Sequence, residues 1–108
     1  MADVEALSMQ AMEIITYAGM AKSGYVNALK QAKQGEVKEA AETLKEGDRM
    51  IAKAHESHFG LLQKEAQTGE PQVSLMILHA EDQLMACETI RLLVTELMEL
   101  YEAQRKTE

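Results

Sequence analysis

SLMILHAEDQLMACETIRLLVTELMELYE, residues 74–102, is a long uninterrupted segment with the apolar spacing of an α-helix. Its apolar residues fall on two stripes, since positions three or four apart share a helix face. One stripe contains Leu75, Leu78, Asp82, Met85, Thr89, Leu93, Glu96 and Leu100, and the other contains Met76, Ala80, Gln83, Cys87, Ile90, Val94, Leu97 and Tyr101. A narrow polar face, predicted to meet water, holds Glu81, Glu88, Thr95, Glu99 and Glu102. Two apolar stripes need two sets of neighbours, so we expect the chain's own helices to cover one and a second copy to cover the other.

Two further amphipathic helices precede this segment. The apolar spacing predicts them at residues 3–34 and 36–66, with Gly35 ending the first in a left-handed conformation. Gly and Pro in QTGEPQ, residues 67–72, predict a short loop. Ser74 is then a suitable N-cap for the third helix.

These elements predict an all-α fold in which one domain spans residues 1–108. Three helices of about 30 residues, each about 45 Å long, make a slim antiparallel three-helix hairpin, and three copies around an axis would cover its third helix. We expect a trimer with helix three toward that axis. Gly19 and Gly24 are interpreted as sites of close helix packing, and residues 104–108 as a frayed polar tail.

Composition limits the classes of function. The 108 residues carry a formal charge of −7 and show no basic cluster before the C-terminal tail, which disfavours nucleic-acid binding. Cys87 is the only cysteine, so no intrachain disulfide forms and a reducing compartment is expected. No segment has the apolar length of a membrane span, and the N-terminus lacks the pattern of a signal peptide. We therefore expect a cytoplasmic protein.

His79 and Asp82, the one histidine and the one aspartate of the third helix, are its candidate functional residues. A neutral imidazole is a competent nucleophile toward a phosphoryl group, although a hydrogen-bonded core histidine fits the pattern equally well. Asp82 could orient the His79 ring or line the apolar stripe. A carboxylate buried there must be protonated, paired or metal-bound, and three copies on an axis would suit a hard cation such as Mg²⁺; the alternative is an exposed Asp82.

Other candidate sites have simpler interpretations. His55 and His58 have a spacing that can hold a transition metal, but no third ligand is visible, and helix-packing histidines are favoured. The eight methionines are interpreted chiefly as core filler. The sequence contains no phosphate-binding glycine loop after a strand, no Ser-His-Asp set and no CxxC motif, so nucleotide-driven, hydrolytic and redox chemistry lack their usual parts.

The whole sequence resembles the enzyme IIA component of the lactose/cellobiose (N,N′-diacetylchitobiose) class of the bacterial phosphoenolpyruvate-dependent sugar phosphotransferase system. EIITYAGMAKS and ALKQAKQGE in helix one and AKAHESHFGLLQKEA in helix two are similar to family blocks. The most specific block is SLMILHAEDQLM in helix three, which resembles the pattern S-x-x-x-x-H-A-Q-D-H-L-M.

The resemblance implies a phosphocarrier for β-disaccharide uptake. His79 would accept a phosphoryl group from phospho-HPr and pass it to a cysteine of the cognate IIB protein. Asp82 would lie at the three-fold axis of a trimeric bundle, where some members bind a divalent cation. No organic cofactor, nucleic acid or membrane insertion is implied. The alternative is a degenerate bundle that binds partners in a regulatory or structural role without phosphotransfer.

Four positions depart from the family pattern. Glu81 replaces Gln, Gln83 replaces His, and His58-Phe59 replaces Gln-Thr. Glu81 lies about 160° around the helix from His79 and is expected on the wet face. Gln83 lies one turn from His79, so it is expected beside the phosphoryl group, where its amide can still donate a hydrogen bond. His58-Phe59 is expected to alter how helix two meets helix three.

Overall fold

Three helices account for almost all of the chain. The computed structural model describes residues 3–107 and contains α1 (Val4–Lys33), α2 (Val37–Thr68) and α3 (Leu75–Lys106). The molecule measures 61 × 19 × 18 Å, and no strand occurs within the described residues. The predicted all-α, elongated three-helix architecture is confirmed. No helix in residues 3–107 is long and apolar enough to cross a membrane.

Local chemistry sets the helix ends. The Asp3 carboxylate accepts a hydrogen bond from the backbone N–H of Glu5 at 3.0 Å, and the Ser74 hydroxyl accepts one from the N–H of Ile77 at 3.2 Å. Each side chain accepts from a backbone N–H that has no partner within its own helix, so the N-cap predicted at Ser74 is confirmed. Gly35 (φ 81°) and Gly69 (φ 72°) adopt the left-handed conformation that favours glycine. Gly69 is the C-cap of α2, which ends at Thr68, two residues beyond the end predicted at residue 66.

The C-terminal tail is ordered into the third helix. Fraying was predicted for residues 104–108, but α3 continues to Lys106. Arg105 donates a hydrogen bond from Nη1 to the backbone carbonyl of Ala32 at 2.8 Å, and that carbonyl belongs to the last turn of α1. The prediction is wrong for residues 104–106 because a side chain of the tail satisfies a helix end elsewhere in the chain. Glu108 lies outside the described residues.

α1 lies between the other two helices. It packs along both α2 and α3, whereas the backbones of α2 and α3 approach each other at few points. The core consists mainly of small and branched side chains together with one aromatic ring: Leu7, Ala11, Ile14, Ala18, Ala21, Tyr25, Ile51, Ala54, Leu61, Ile77, Ala80, Leu84, Cys87 and Val94. Small residues on α1 allow two neighbours to pack closely against it.

Glycines bring α1 and α2 together at one crossing. A Cβ atom on Gly24 would lie 3.3 Å from the Cα of Gly47, and one on Gly47 would lie 2.7 Å from Cε1 of Tyr25. The close-packing interpretation is therefore confirmed for Gly24. It is not supported within residues 3–107 for Gly19, where an added Cβ would meet nothing within 4 Å.

A polar cluster beside this crossing connects all three helices. Tyr25 of α1 donates its hydroxyl to Oδ1 of Asp48 in α2 at 2.6 Å. Arg91 of α3 donates from Nε to the same oxygen at 2.6 Å and from Nη2 to Oδ2 at 3.0 Å. Hydrogen bonding by Arg91 is the main reason that the pKa of Asp48 lies below its ordinary value of 3.8. The charged form of Asp48 is thus the one that joins the helices.

We expect Asp48 to contribute acid-sensitive stability. Its folded pKa is depressed, so the contribution is present above the unfolded pKa of about 4 and is lost as pH falls through the lower folded value. Urea unfolding of the wild type and of Asp48→Asn should therefore differ by a constant free energy above about pH 5, and the difference should shrink below about pH 4. A difference equal at pH 3 and pH 7 would contradict the proposed role of the charge.

Candidate phosphoryl-acceptor site

His79 lies on the second turn of α3, just after the Ser74 cap, and its side chain is exposed. It makes no hydrogen bond or ion pair with any residue in the range 3–107. The interpretation as a hydrogen-bonded core histidine is therefore not supported within one chain. An exposed imidazole without a partner retains a nitrogen lone pair for an incoming electrophile.

Asp82 lies one turn further along α3 and is also exposed in the single chain. Its carboxylate makes no hydrogen bond with His79 or with any other described residue. Asp82 belongs to one of the two apolar stripes of α3, and the large apolar members of this stripe are uncovered in the single chain: Leu75 (84% exposed), Leu78, Met85, Leu93 and Leu100. The other stripe is buried against the chain's own helices at Ala80, Cys87 and Val94. Asp82 therefore lies in the middle of an apolar surface that this chain does not cover.

Gln83 is half-buried one turn from His79, and its amide forms no hydrogen bond with another described side chain or backbone group. The helical spacing expected from the sequence places its Cβ about 5–6 Å from that of His79. Its proposed place beside a phosphoryl group stays a prediction.

Glu81 does not lie on a purely wet face. Its Oε1 lies 2.8 Å from Nε2 of His58 on α2, and Glu88, two turns further on, lies 2.5 Å from Nε2 of His55. The prediction of a solvent-facing Glu81 holds only in part: 40% of its side chain is exposed, but α2 lies along this side of α3 and supplies His58 as a partner. Each histidine has a glutamate partner of its own, so the interpretation of His55 and His58 as helix-packing histidines is confirmed.

The His58-Phe59 pair affects the α2–α3 contact through one member only. His58 has its ring in the contact, whereas Phe59 is 58% exposed. Within residues 3–107, no three His, Cys, Asp or Glu side chains are grouped so that they could hold a metal ion. A cation at Asp82 would therefore need carboxylates from more than one copy.

Cys87 has no place in the candidate chemistry. Its thiol is buried in the core, and burial is the main reason that its pKa is raised. A thiol held protonated and out of solvent is a poor nucleophile.

Sequence reasoning missed two features. The Tyr25–Asp48–Arg91 cluster joins residues far apart in the chain, and no local spacing signals it. A cavity of about 270 Å³ lies where α2 begins and α3 ends, and its mainly apolar lining also includes Glu99, Glu102 and Arg105. It begins at Thr95, about 24 Å along α3 from His79 at 1.5 Å per residue, so it is separate from the candidate site.

Comparisons with known proteins show which family shares this sequence and its three-helix fold. Residues 9–102 match the model of the family described as the phosphotransferase system lactose/cellobiose-specific IIA subunit. The chain belongs to this family. It is therefore a phosphotransfer component of the sugar phosphotransferase system, and the match spans most of the chain.

Individual relatives of this IIA subunit align over most of their length. A lactose-specific EIIA component of Streptococcus mutans is 36% identical over 97 residues, covering 90% of this chain and 93% of the relative. The crystal structure of a cellobiose-specific enzyme IIA from Bacillus anthracis superposes with a TM-score of 0.90 at 30% identity, covering 100% and 97% of the two chains. The three-helix IIA fold is shared along the whole chain.

A third relative is known with a partner. It is the IIA(Chitobiose) protein in complex with HPr, from the N,N′-diacetylchitobiose branch of the Escherichia coli system. Its TM-score is 0.82 at 35% identity, and the match covers 92% of this chain and 96% of the relative.

Proposed function

We propose that His79 is the phosphoryl acceptor of this IIA subunit. The observation that carries the proposal is an exposed histidine that bonds to none of residues 3–107, in the helix-three block that resembles the family's phosphorylated motif. The donor is phospho-HPr, in keeping with the HPr complex of the related chitobiose protein, and the acceptor is a cysteine of a cognate IIB protein. We place this relay in the cytoplasm, serving β-disaccharide uptake.

The residues present suit an in-line transfer. A ring nitrogen of neutral His79 attacks phosphorus, the bond from phosphorus to the donor breaks, and its electron pair leaves with the donor. A IIB thiolate then attacks the same phosphorus from the opposite side and displaces the His79 nitrogen. Such transfers need positioning and charge stabilisation more than further covalent chemistry, which is why one accessible nitrogen suffices. Gln83, one turn away, can donate an amide hydrogen bond to a phosphoryl oxygen.

Labelling of the wild-type protein tests this proposal. Incubation with phosphoenolpyruvate, enzyme I and HPr should give one acid-labile phosphate per chain, and peptide mapping under alkaline conditions should locate it at His79. A phosphate that survives acid, or that maps to another residue, would refute the assignment.

We propose that the uncovered stripe of α3 packs against two further copies in a homotrimer. The stripe exposes large apolar side chains along much of the helix, an arrangement typical of surfaces that meet another chain. Asp82, Thr89 and Glu96 form the polar positions of this stripe. Three-fold symmetry about α3 would bring the three Asp82 carboxylates together, where a hard divalent cation with oxygen ligands would relieve their repulsion.

Metal analysis of protein purified without chelator tests the cation. We expect about one Mg²⁺-like ion per three chains in the wild type and none in Asp82→Leu. Chelator should weaken the wild-type trimer, measured by sedimentation, and leave the variant unaffected. Glu96→Leu is the matched control, because it removes a carboxylate from the same stripe and should retain the ion. A wild type that binds no ion would exclude the site.

A further inference from the structure

The side chains between α2 and α3 form three polar pairs in antiparallel order. His58 meets Glu81 at 2.8 Å, His55 meets Glu88 at 2.5 Å, and Asp48 meets Arg91 at 2.6 Å. The three pairs connect two helices whose backbones approach each other at few points. They are therefore direct polar links between α2 and α3.

Only one of these pairs reaches the turn that carries His79. Among residues 75–85, Glu81 is the residue whose side chain bonds to another helix within the described chain. His79 and Asp82 on that turn are exposed and make no such bond. The His58–Glu81 pair is thus the polar connection between the candidate phosphoryl site and α2.

The two members of this pair are also two of the positions at which the sequence departs from the family pattern. Both stand where the pattern has Gln, so an acid and a base stand here at two positions that are neutral in the pattern. The structure places them in contact, although 23 residues separate them in the chain. Contact between the two departures suggests that one substitution compensates the other.

We propose that His58 is a positioning residue for His79: it holds the carboxylate of Glu81 and, when protonated, neutralises that charge while His79 carries a phosphoryl group. The inference rests on the proposed phosphoryl acceptance by His79. It assigns His58 an effect on the phosphorylated state that acts through Glu81, without contact with the phosphoryl group.

The charges around the site explain why neutralisation matters. A phosphoryl group brings nearly two negative charges at pH 7, beside the carboxylate of Asp82 one turn away. Glu81 adds a further negative charge across the helix, at a distance of about 10 Å. Protonated His58 cancels this charge locally. The neighbouring charged groups already have partners of their own, since Glu88 contacts His55 and Asp48 contacts Arg91.

The size of the effect follows from screened Coulomb interaction. A unit charge about 10 Å from a phosphoryl group, at moderate ionic strength, changes the transfer equilibrium by about two- to three-fold. We therefore expect His58→Gln, which leaves Glu81 charged and without a partner, to lower the equilibrium share of phosphoryl groups on the protein relative to HPr by that factor. His58→Gln/Glu81→Gln restores a neutral pair and should match the wild type.

The experiment compares the wild type, the two single variants and the double variant in phosphoryl exchange with HPr. Each is measured at about 0.05 M and about 1 M salt, where the Debye length falls from about 14 Å to about 3 Å. The deficit of His58→Gln should largely disappear at high salt, which a change in packing alone would not produce. Glu81→Gln should show no deficit. Thermal unfolding of all four proteins reports any loss of structure separately.

The outcomes distinguish this inference from the function on which it rests. Equal exchange equilibria in wild type and His58→Gln, or a deficit that is the same at both salt concentrations, would overturn the role of His58 while His79 still accepts phosphate. A wild type that takes no phosphate from HPr would overturn both. A deficit restored by the second substitution and suppressed by salt is the expected result.

Discussion

Replacing His79 by alanine is expected to abolish phosphorylation by phosphoenolpyruvate, enzyme I and HPr. The substitution removes the only nucleophilic nitrogen that the candidate site presents to solvent, and the nearby Asp82 and Gln83 cannot form a phosphoramidate. Because His79 is exposed and forms no bond with a described residue, the change in unfolding free energy should stay within about 0.5 kcal/mol. Labelling should fall to background while the melting temperature is nearly unchanged.

His55→Ala is the matched control for this experiment. His55 is also an exposed histidine of the same chain, but its ring is held by Glu88 on the far side of α3 from His79. This variant should be labelled like the wild type. Full labelling of His79→Ala, or loss of labelling in His55→Ala, would contradict the assignment of the acceptor.

The same measurement separates the phosphocarrier from the alternative of a degenerate partner-binding bundle. A degenerate bundle would leave the wild type itself unlabelled, although it could still bind HPr. Gln83 in place of the family's histidine is the substitution that most favours this alternative. Gln83→His should therefore raise the transfer rate if the wild type is a slow carrier, because a histidine can supply a cationic donor next to the phosphoryl oxygens.

Helical periodicity accounts for most of what the sequence predicted correctly. Two apolar stripes on one helix require two sets of neighbours, and the structure covers one stripe and leaves the other exposed around Asp82. Capping residues also act locally, so Ser74 and Gly35 were placed correctly. The candidate acceptor, His79, could be selected from the residue type and from the motif around it.

The errors concern side chains that interact across helices. The phase of α3 places Glu81 away from His79, but it does not reveal that α2 lies on that side. A fully solvent-facing glutamate was therefore predicted where the carboxylate contacts His58. The prediction for the tail failed in the same way, since Arg105 finds its partner 73 residues earlier in the chain. Both contacts depend on where neighbouring helices lie, which a single helix's pattern does not contain.

Replacing Tyr25 by alanine is expected to cause the largest loss of stability. The Tyr25 side chain is fully buried, its ring lies against the backbone of α2 at Gly47, and its hydroxyl bonds to Asp48. Truncation leaves a cavity at the point where α1 and α2 cross. Aromatic-to-alanine substitutions of this kind cost about 3–5 kcal/mol, which urea unfolding at a fixed protein concentration should detect.

Tyr25→Phe separates the two contributions of this side chain. It keeps the ring against Gly47 and removes only the hydroxyl, while Asp48 keeps both hydrogen bonds from Arg91. The loss should therefore be about 1.5–3 kcal/mol, the usual net value of one hydrogen bond to a charged group. Gly47→Leu tests the same crossing from α2, because its Cβ alone would already meet the Tyr25 ring at 2.7 Å. If Tyr25→Ala and Gly47→Leu were both within 1 kcal/mol of the wild type, the close approach of α1 and α2 would not be a source of stability. A large loss in both variants, with a smaller loss in Tyr25→Phe, would show that packing at this crossing outweighs the polar cluster beside it.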